Sequence, residues 1–209
     1  MKRSQQGGKL AGYSLAAGSL LVAGNAAHGA IIHIDLNPDV VLTGTQATNV
    51  NINGQTKFMI GHSTASGWSS GGISNRTSQA FWVGNSNPNS GVRPLNAGAS
   101  IKLQTDWGQA SSNRCNLASY SSVSSNGGYF RGSSGKYIGI KFQNGSNTNY
   151  GWIQVNIPAN ADKITITGYA YNDTPDGAIT AGQVPELTGL GLLACGAAGI
   201  TALRRTRAA

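Results

Sequence analysis

Apolar and polar residues alternate at every second position in seven stretches between residues 31 and 183. Ile32-His33-Ile34-Asp35-Leu36, Val50-Asn51-Ile52, Lys57-Phe58-Met59-Ile60, Ile101-Lys102-Leu103, Tyr137-Ile138-Gly139-Ile140-Lys141-Phe142, Trp152-Ile153-Gln154-Val155-Asn156-Ile157 and Lys163-Ile164-Thr165-Ile166-Thr167 each present one apolar face, as half-buried strands do. No window carries apolar residues at the spacing of a helix. Turn formers separate the runs: Asn37-Pro38-Asp39, Asn53-Gly54, Asn126-Gly127-Gly128, Asn144-Gly145 and Pro175-Asp176-Gly177. The runs flanking Asn144-Gly145 form the strongest hairpin candidate, with a connection extending toward Tyr150 and so longer than a two-residue turn. Many short antiparallel strands in about 150 residues predict an all-β, antiparallel β-sandwich of jelly-roll type.

Residues 108–135 break the alternation. They hold nine serines, the Gly127-Gly128 pair and few apolar anchors. The segment therefore reads as one long surface loop, with ligand contact or O-linked sugar as its functional alternatives.

The two ends follow other patterns. Lys2, Arg3 and Lys9 precede an uncharged, small and apolar run over residues 10–23, and Ala26-Ala27-His28-Gly29-Ala30 follows it. This is the tripartite build of a secretory signal peptide, too short to span a bilayer and expected to be cleaved between Ala27 and Ile31. At the other end, Val184-Pro185-Glu186 leads into seventeen uncharged residues, 187–203, and then Arg204, Arg205 and Arg207. At about 1.5 Å per residue the uncharged run is roughly 26 Å long, a short transmembrane helix. The arginines behind it would stay cytoplasmic under the positive-inside rule and leave everything before Pro185 outside. The expected organisation is a signal peptide over 1–30, a β-sandwich ectodomain over 31–183 and a sorting and anchoring segment over 184–209.

Charge changes meaning once the ends are set apart. The whole chain carries 15 Lys plus Arg against 7 Asp plus Glu, a net +8 that would otherwise suggest nucleic acid. Residues 31–183 hold nine bases and six acids, scattered singly, for a net of +3. No nucleic-acid partner is expected of so sparse a distribution. Charged residues make up 11% of the chain, and Glu186 is the sole glutamate. A scarcity of that kind fits an exported β-rich protein better than a cytosolic helical enzyme.

Pro185-Glu186, the Gly/Ala/Leu helix and the terminal arginines resemble the PEP-CTERM sorting signal of bacterial surface proteins, with Leu187 where the family motif has a second proline. Further in, Val92-Arg93, Leu95-Asn96-Ala97-Gly98, Tyr137-Ile138-Gly139, Tyr150-Gly151-Trp152, Gly168-Tyr169-Ala170-Tyr171 and Ile179-Thr180-Ala181-Gly182 resemble modules of PEP-CTERM ectodomains. The resemblance implies a non-enzymatic surface or extracellular-matrix protein. Its partners would be the general secretion machinery, an exosortase-like processing enzyme and exopolysaccharide, and its membrane contact would run through the C-terminal helix. Val184, Pro185 and Glu186 would be the sorting motif, and Arg204, Arg205 and Arg207 the topology anchors.

Candidate chemistry is sparse. Asp35-Leu36-Asn37-Pro38-Asp39 has oxygen side chains at alternate positions, but Val40 stands where an EF-hand needs glycine and no glutamate follows at the twelfth position. The segment reads as a turn bonding its own backbone. Asn51-Ile52-Asn53-Gly54-Gln55 offers amides where related ectodomains carry an Asp-rich repeat, so no calcium, zinc or other cofactor is expected. Gly67-Trp68-Ser69-Ser70-Gly71 matches the nucleophile-elbow spacing, yet the elbow needs a strand-to-helix turn that this pattern lacks. Only His33 and His62 remain to serve a triad after signal removal, and no catalytic residue is expected. Cys115 stands alone outside the membrane segment that holds Cys195, and is either inert or able to bridge two chains. Trp152, Tyr169 and Tyr171 are expected to pack inside the sandwich. A carbohydrate-binding alternative would use Trp68, Trp82, Trp107 and Trp152 as stacking surfaces.

Overall fold

The computed structural model describes residues 30–84, 91–102, 107–108, 114–123 and 127–185. They form strands β1 (Ile31–Thr43), β2 (Gln46–Ile52), β3 (Gln55–Ala65), β4 (Trp68–Asn75), β5 (Ala80–Val83), β6 (Pro94–Leu95), β7 (Ser100–Ile101), β8 (Trp107–Gly108), β9 (Arg114–Ser121), β10 (Ser133–Asn144), β11 (Asn147–Ile157), β12 (Lys163–Asn172) and β13 (Ile179–Thr180). The fold is all-β, with no helix among the described residues. Every strand pairing is antiparallel. A larger sheet runs β1-β12-β11-β10-β5-β8, with β6 also on β10, a smaller one runs β2-β3-β4-β9, and β7 and β13 make a two-stranded ribbon.

In the larger sheet β10, β11 and β12 follow as hairpins, and β1 lies beside β12 after the chain has built the smaller sheet, which is Greek-key order. The smaller sheet is a meander, β2-β3-β4, extended by β9. Two facing antiparallel sheets are those of a β-sandwich, and Greek-key order is present in the larger of them.

Both sheets contribute to one core. Val50, Ile52, Phe58, Ile60, Ile73 and Leu117 from the smaller sheet meet Trp82, Ile138, Ile140, Phe142, Ile153, Val155, Ile164 and Ile166 from the larger. Period-two alternation explains most of these faces. Bulges explain the rest. On β12 the extra residue Thr167 lies between the pairs Gln154–Gly168 and Val155–Ile166. That extra residue shifts the parity, so Tyr169 and Tyr171 join Ile164 and Ile166 in the core while Ala170 packs on the opposite face. The two tyrosines pack inside as expected, and their hydroxyls reach the smaller sheet. Tyr169 donates to Asn51 O at 2.8 Å and Tyr171 to Asn53 Oδ1 at 2.6 Å.

Three expectations change. Residues 35–39 form no turn between elements: β1 pairs Asp35 with Gly168 and resumes at Val40 with Ile166, so residues 36–39 are a bulge opposite Thr167, with Leu36 packed against the core and a cis Asn37-Pro38 bond. A bulge with proline on this edge strand blunts it against further pairing. Residues 108–135 are not one loop. They contain β9, which pairs with β4 and buries Cys115, Leu117 and Ala118. The Asn144 connection is tight, since Asn144 pairs with Asn147 across Gly145 (φ 63) and Ser146 alone. Glycine with positive φ at the first central position gives a type II′ hairpin turn.

Candidate functional site

The outer face of the larger sheet carries a second group of aromatic side chains. Tyr150 and Trp152 on β11 and Tyr137 on β10 lie there beneath the β7–β13 ribbon, in a second cluster with Ile101, Ala170, Ile179 and Ala181. Trp152 meets Tyr137 edge-on at 5.2 Å between ring centroids and lies 5.6 Å from His33. Burial pushes the Tyr150 hydroxyl above its ordinary pKa, and the nearby Asp176 carboxylate adds to the shift.

Beyond the ribbon, Lys141 stands among Phe81, Trp107 and Tyr150. Its ammonium lies 4.4 Å from the Phe81 ring centroid and 5.1 Å from that of Trp107, and Trp107 is 5.8 Å from Tyr150. Ring faces attract a cation and stand in for part of its hydration, while partial burial lowers the Lys141 pKa. The indole Nε1 of Trp107 is buried and has no hydrogen-bond partner among the described residues. Chemically the cluster is a braced cation that ties β5, β8 and β10 together.

The ribbon ends in a dense hydrogen-bonded clasp. Gln183 N donates to Thr180 O at 2.9 Å, and Gln183 Oε1 accepts from Thr180 N at 3.0 Å. Trp152 Nε1 donates to Gln183 O at 3.2 Å. Gly182 (φ 82) passes so close to Tyr137 that a Cβ there would sit 2.9 Å from its hydroxyl oxygen. A side chain would meet both strain and overlap at that position. One residue past the clasp, Val184 is 46% exposed and Pro185 is exposed too. Among the described residues, the clasp is the last hydrogen-bonded element before Val184 and Pro185.

The four tryptophans do not form one surface. Trp82 is 1% exposed inside the inter-sheet core and Trp152 is 2% exposed beneath the ribbon, which corrects both as glycan contacts. Strand residues facing covered sides of a sheet lie out of reach of a ligand, however aromatic they are. Trp107 is half-buried on the larger sheet, whereas Trp68, 40% exposed, lies on the smaller sheet between Ala65 and Ser121. Glu186, Arg204, Arg205, Arg207 and Cys195 lie outside the described residues, as do residues 1–29.

The other candidates have structural partners. Gly67-Trp68-Ser69-Ser70-Gly71 opens β4 after a Ser66-Gly67 hairpin turn, with no helix following. Ser69 Oγ donates to Asn160 O at 2.6 Å, and His62, buried on the same sheet, contacts Gly44 O at 2.7 Å and Ala161 O at 2.8 Å. Both side chains tie the smaller sheet to backbone carbonyls of the 158–162 connection. Cys115 forms no disulfide and is 2% exposed; burial raises its thiol pKa, and hydrogen bonds involving Asn116, Trp82 and Gly91 offset part of the rise. A thiol so enclosed does not reach a second chain, which corrects the bridging alternative. Residues missed from sequence are Lys141 with Phe81 and the Gln183 clasp. Neither has a local signal, because each depends on a strand brought from elsewhere in the chain.

Compared with family models, curated proteins and solved structures, the chain matches none.

Proposed function

We propose that the chain is a non-enzymatic exported surface or extracellular-matrix protein: a β-sandwich ectodomain delivered by the general secretion machinery, anchored through residues 187–203, and processed by an exosortase-like enzyme at a PEP-CTERM-like signal. The observation that carries this reading is the clasp at Gln183. Gln183 is the last hydrogen-bonded residue among those described, and Val184 and Pro185, the first residues of the motif, are exposed beyond it. A processing enzyme needs its motif accessible, as Val184 and Pro185 are. The low charge of residues 31–183 suits a neutral matrix, and exopolysaccharide is the partner this placement favours.

The test is processing in cells. Pro185→Ala combined with Glu186→Ala should leave an unprocessed, membrane-retained form, read by mass spectrometry of the C-terminus from cells and medium. Unchanged processing in the double variant would refute the sorting role.

A further inference from the structure

Two hairpins of the fold contain an Asn-Gly pair, and their asparagines are held differently. Between β2 and β3, Asn53 (φ 51) and Gly54 (φ 72) are both left-handed, as a two-residue type I′ turn requires. The Asn53 carboxamide oxygen accepts the 2.6 Å bond from the Tyr171 hydroxyl. Tyr171 is a core residue packed edge-on against Phe142, so it fixes that carboxamide from the opposite sheet. Between β10 and β11, Asn144 is exposed, and among the described residues its side chain makes no hydrogen bond. Apart from the adjacent residues, no described atom stands within 4 Å of a Cβ placed on Gly145, and the same is true at Gly54. Both asparagines are exposed as residues, so the tether from Tyr171 is what separates them.

We propose that Asn144 is a site of spontaneous deamidation, and that Asn53 is protected by Tyr171. The Gly145 amide nitrogen, deprotonated by hydroxide, attacks Asn144 Cγ. A nitrogen–carbon bond forms, the bond from Cγ to the side-chain nitrogen breaks, and ammonia departs after taking a proton from water. Water then opens the resulting succinimide at either carbonyl to give aspartate or isoaspartate. Water is the sole co-reactant, and nothing is oxidised or reduced. Glycine at the following position favours the ring, since no Cβ obstructs the approach and its backbone turns freely. Each event adds one negative charge to residues 31–183. The isoaspartate product also lengthens the backbone by one methylene between Asn144 and Gly145, so the two-residue loop no longer matches its register with Asn147.

The experiment ages the purified full chain in mildly alkaline buffer and maps the mass gain of an amide-to-acid change peptide by peptide. It is run in the folded state, in denaturant, and with Tyr171→Phe. Folded protein should gain several-fold faster at Asn144 than at Asn53. In denaturant the two rates should converge, and Tyr171→Phe should raise the Asn53 rate several-fold without altering that at Asn144. Equal rates in the folded wild type, or an Asn144 that stays intact while the denatured chain reacts, would overturn the proposal. The wild-type comparison decides the matter even where Tyr171→Phe weakens the fold.

Discussion

Trp82 and Trp68 show how little residue type reveals about role. Both are tryptophans on strands, yet one fills the core and the other stands 40% exposed. Trp82→Ala should destabilise the protein by about 3–5 kcal/mol, because it removes a large buried side chain and leaves a void. In a domain of this size that lowers Tm by roughly 10 °C or more. Trp68→Ala should cost less than about 1 kcal/mol, as half-solvated surface positions do. Thermal melts of the two variants side by side provide the check, and equal losses would contradict the burial assigned to Trp82. The buried ties at His62 and Ser69 lie at the same scale. They hold backbone carbonyls, so hydroxyl and imidazole serve the seam between sheets and loop.

Among elements, glycine and serine in strands carry information that alternation misses. Strand β4 reads Trp68-Ser69-Ser70-Gly71-Gly72-Ile73-Ser74-Asn75, with one aliphatic residue, and yet it is a central strand of the smaller sheet. The reason is proximity: a Cβ on Gly71 would lie 2.3 Å from Ile164 Cδ1 of the facing sheet. Small residues are needed there because large ones arrive from the other side. Strand β9 was hidden for a related reason, its Leu117 bulge having shifted the parity of a serine-rich run. Gly151 on β11 gives the sharpest test, since a Cβ there would sit 2.5 Å from the Ala170 carbonyl oxygen, a backbone atom with little freedom to move. Gly151→Ala should therefore destabilise by about 1–3 kcal/mol, measured by denaturant titration. A neutral result would mean that β11 and β12 are less tightly apposed than the structure has them.

At the scale of the whole molecule, stability should depend on pH on the alkaline side. Tyr150, Tyr169, Tyr171 and Cys115 all have raised pKa values, with burial the first cause in each. For an acid that holds its proton more tightly when folded, the stabilisation is complete below the unfolded pKa and is lost as pH climbs through the folded one. The ordinary values are 9.0 for the thiol and 10.0 for the phenols, so stability should be level near neutrality and fall above about pH 9. Lys141, lowered by burial, acts with the opposite sign: its contribution is present above its unfolded value and lost as pH falls through the folded one. It is one group against four. Thermal melts across the alkaline range measure the sum, and a Tm that rises above pH 9 would contradict it.

The sequence alone determined the strand-forming character of residues 31–183, the Asn53-Gly54 turn, and the near-neutral balance left once the terminal cations are set apart. These follow from local period, turn chemistry and composition, which need no knowledge of distant neighbours. Tertiary structure decided which apolar faces are covered. It turned Tyr169 and Tyr171 inward through the Thr167 bulge, buried Trp152 under a ribbon made from residues 100–101 and 179–180, enclosed Cys115, drew Lys141 between Phe81 and Trp107, and bonded Gln183 to Thr180 and Trp152. Alternation says that a strand has two faces. What lies against each face is fixed by pairings between residues far apart in sequence, and no local pattern encodes their register.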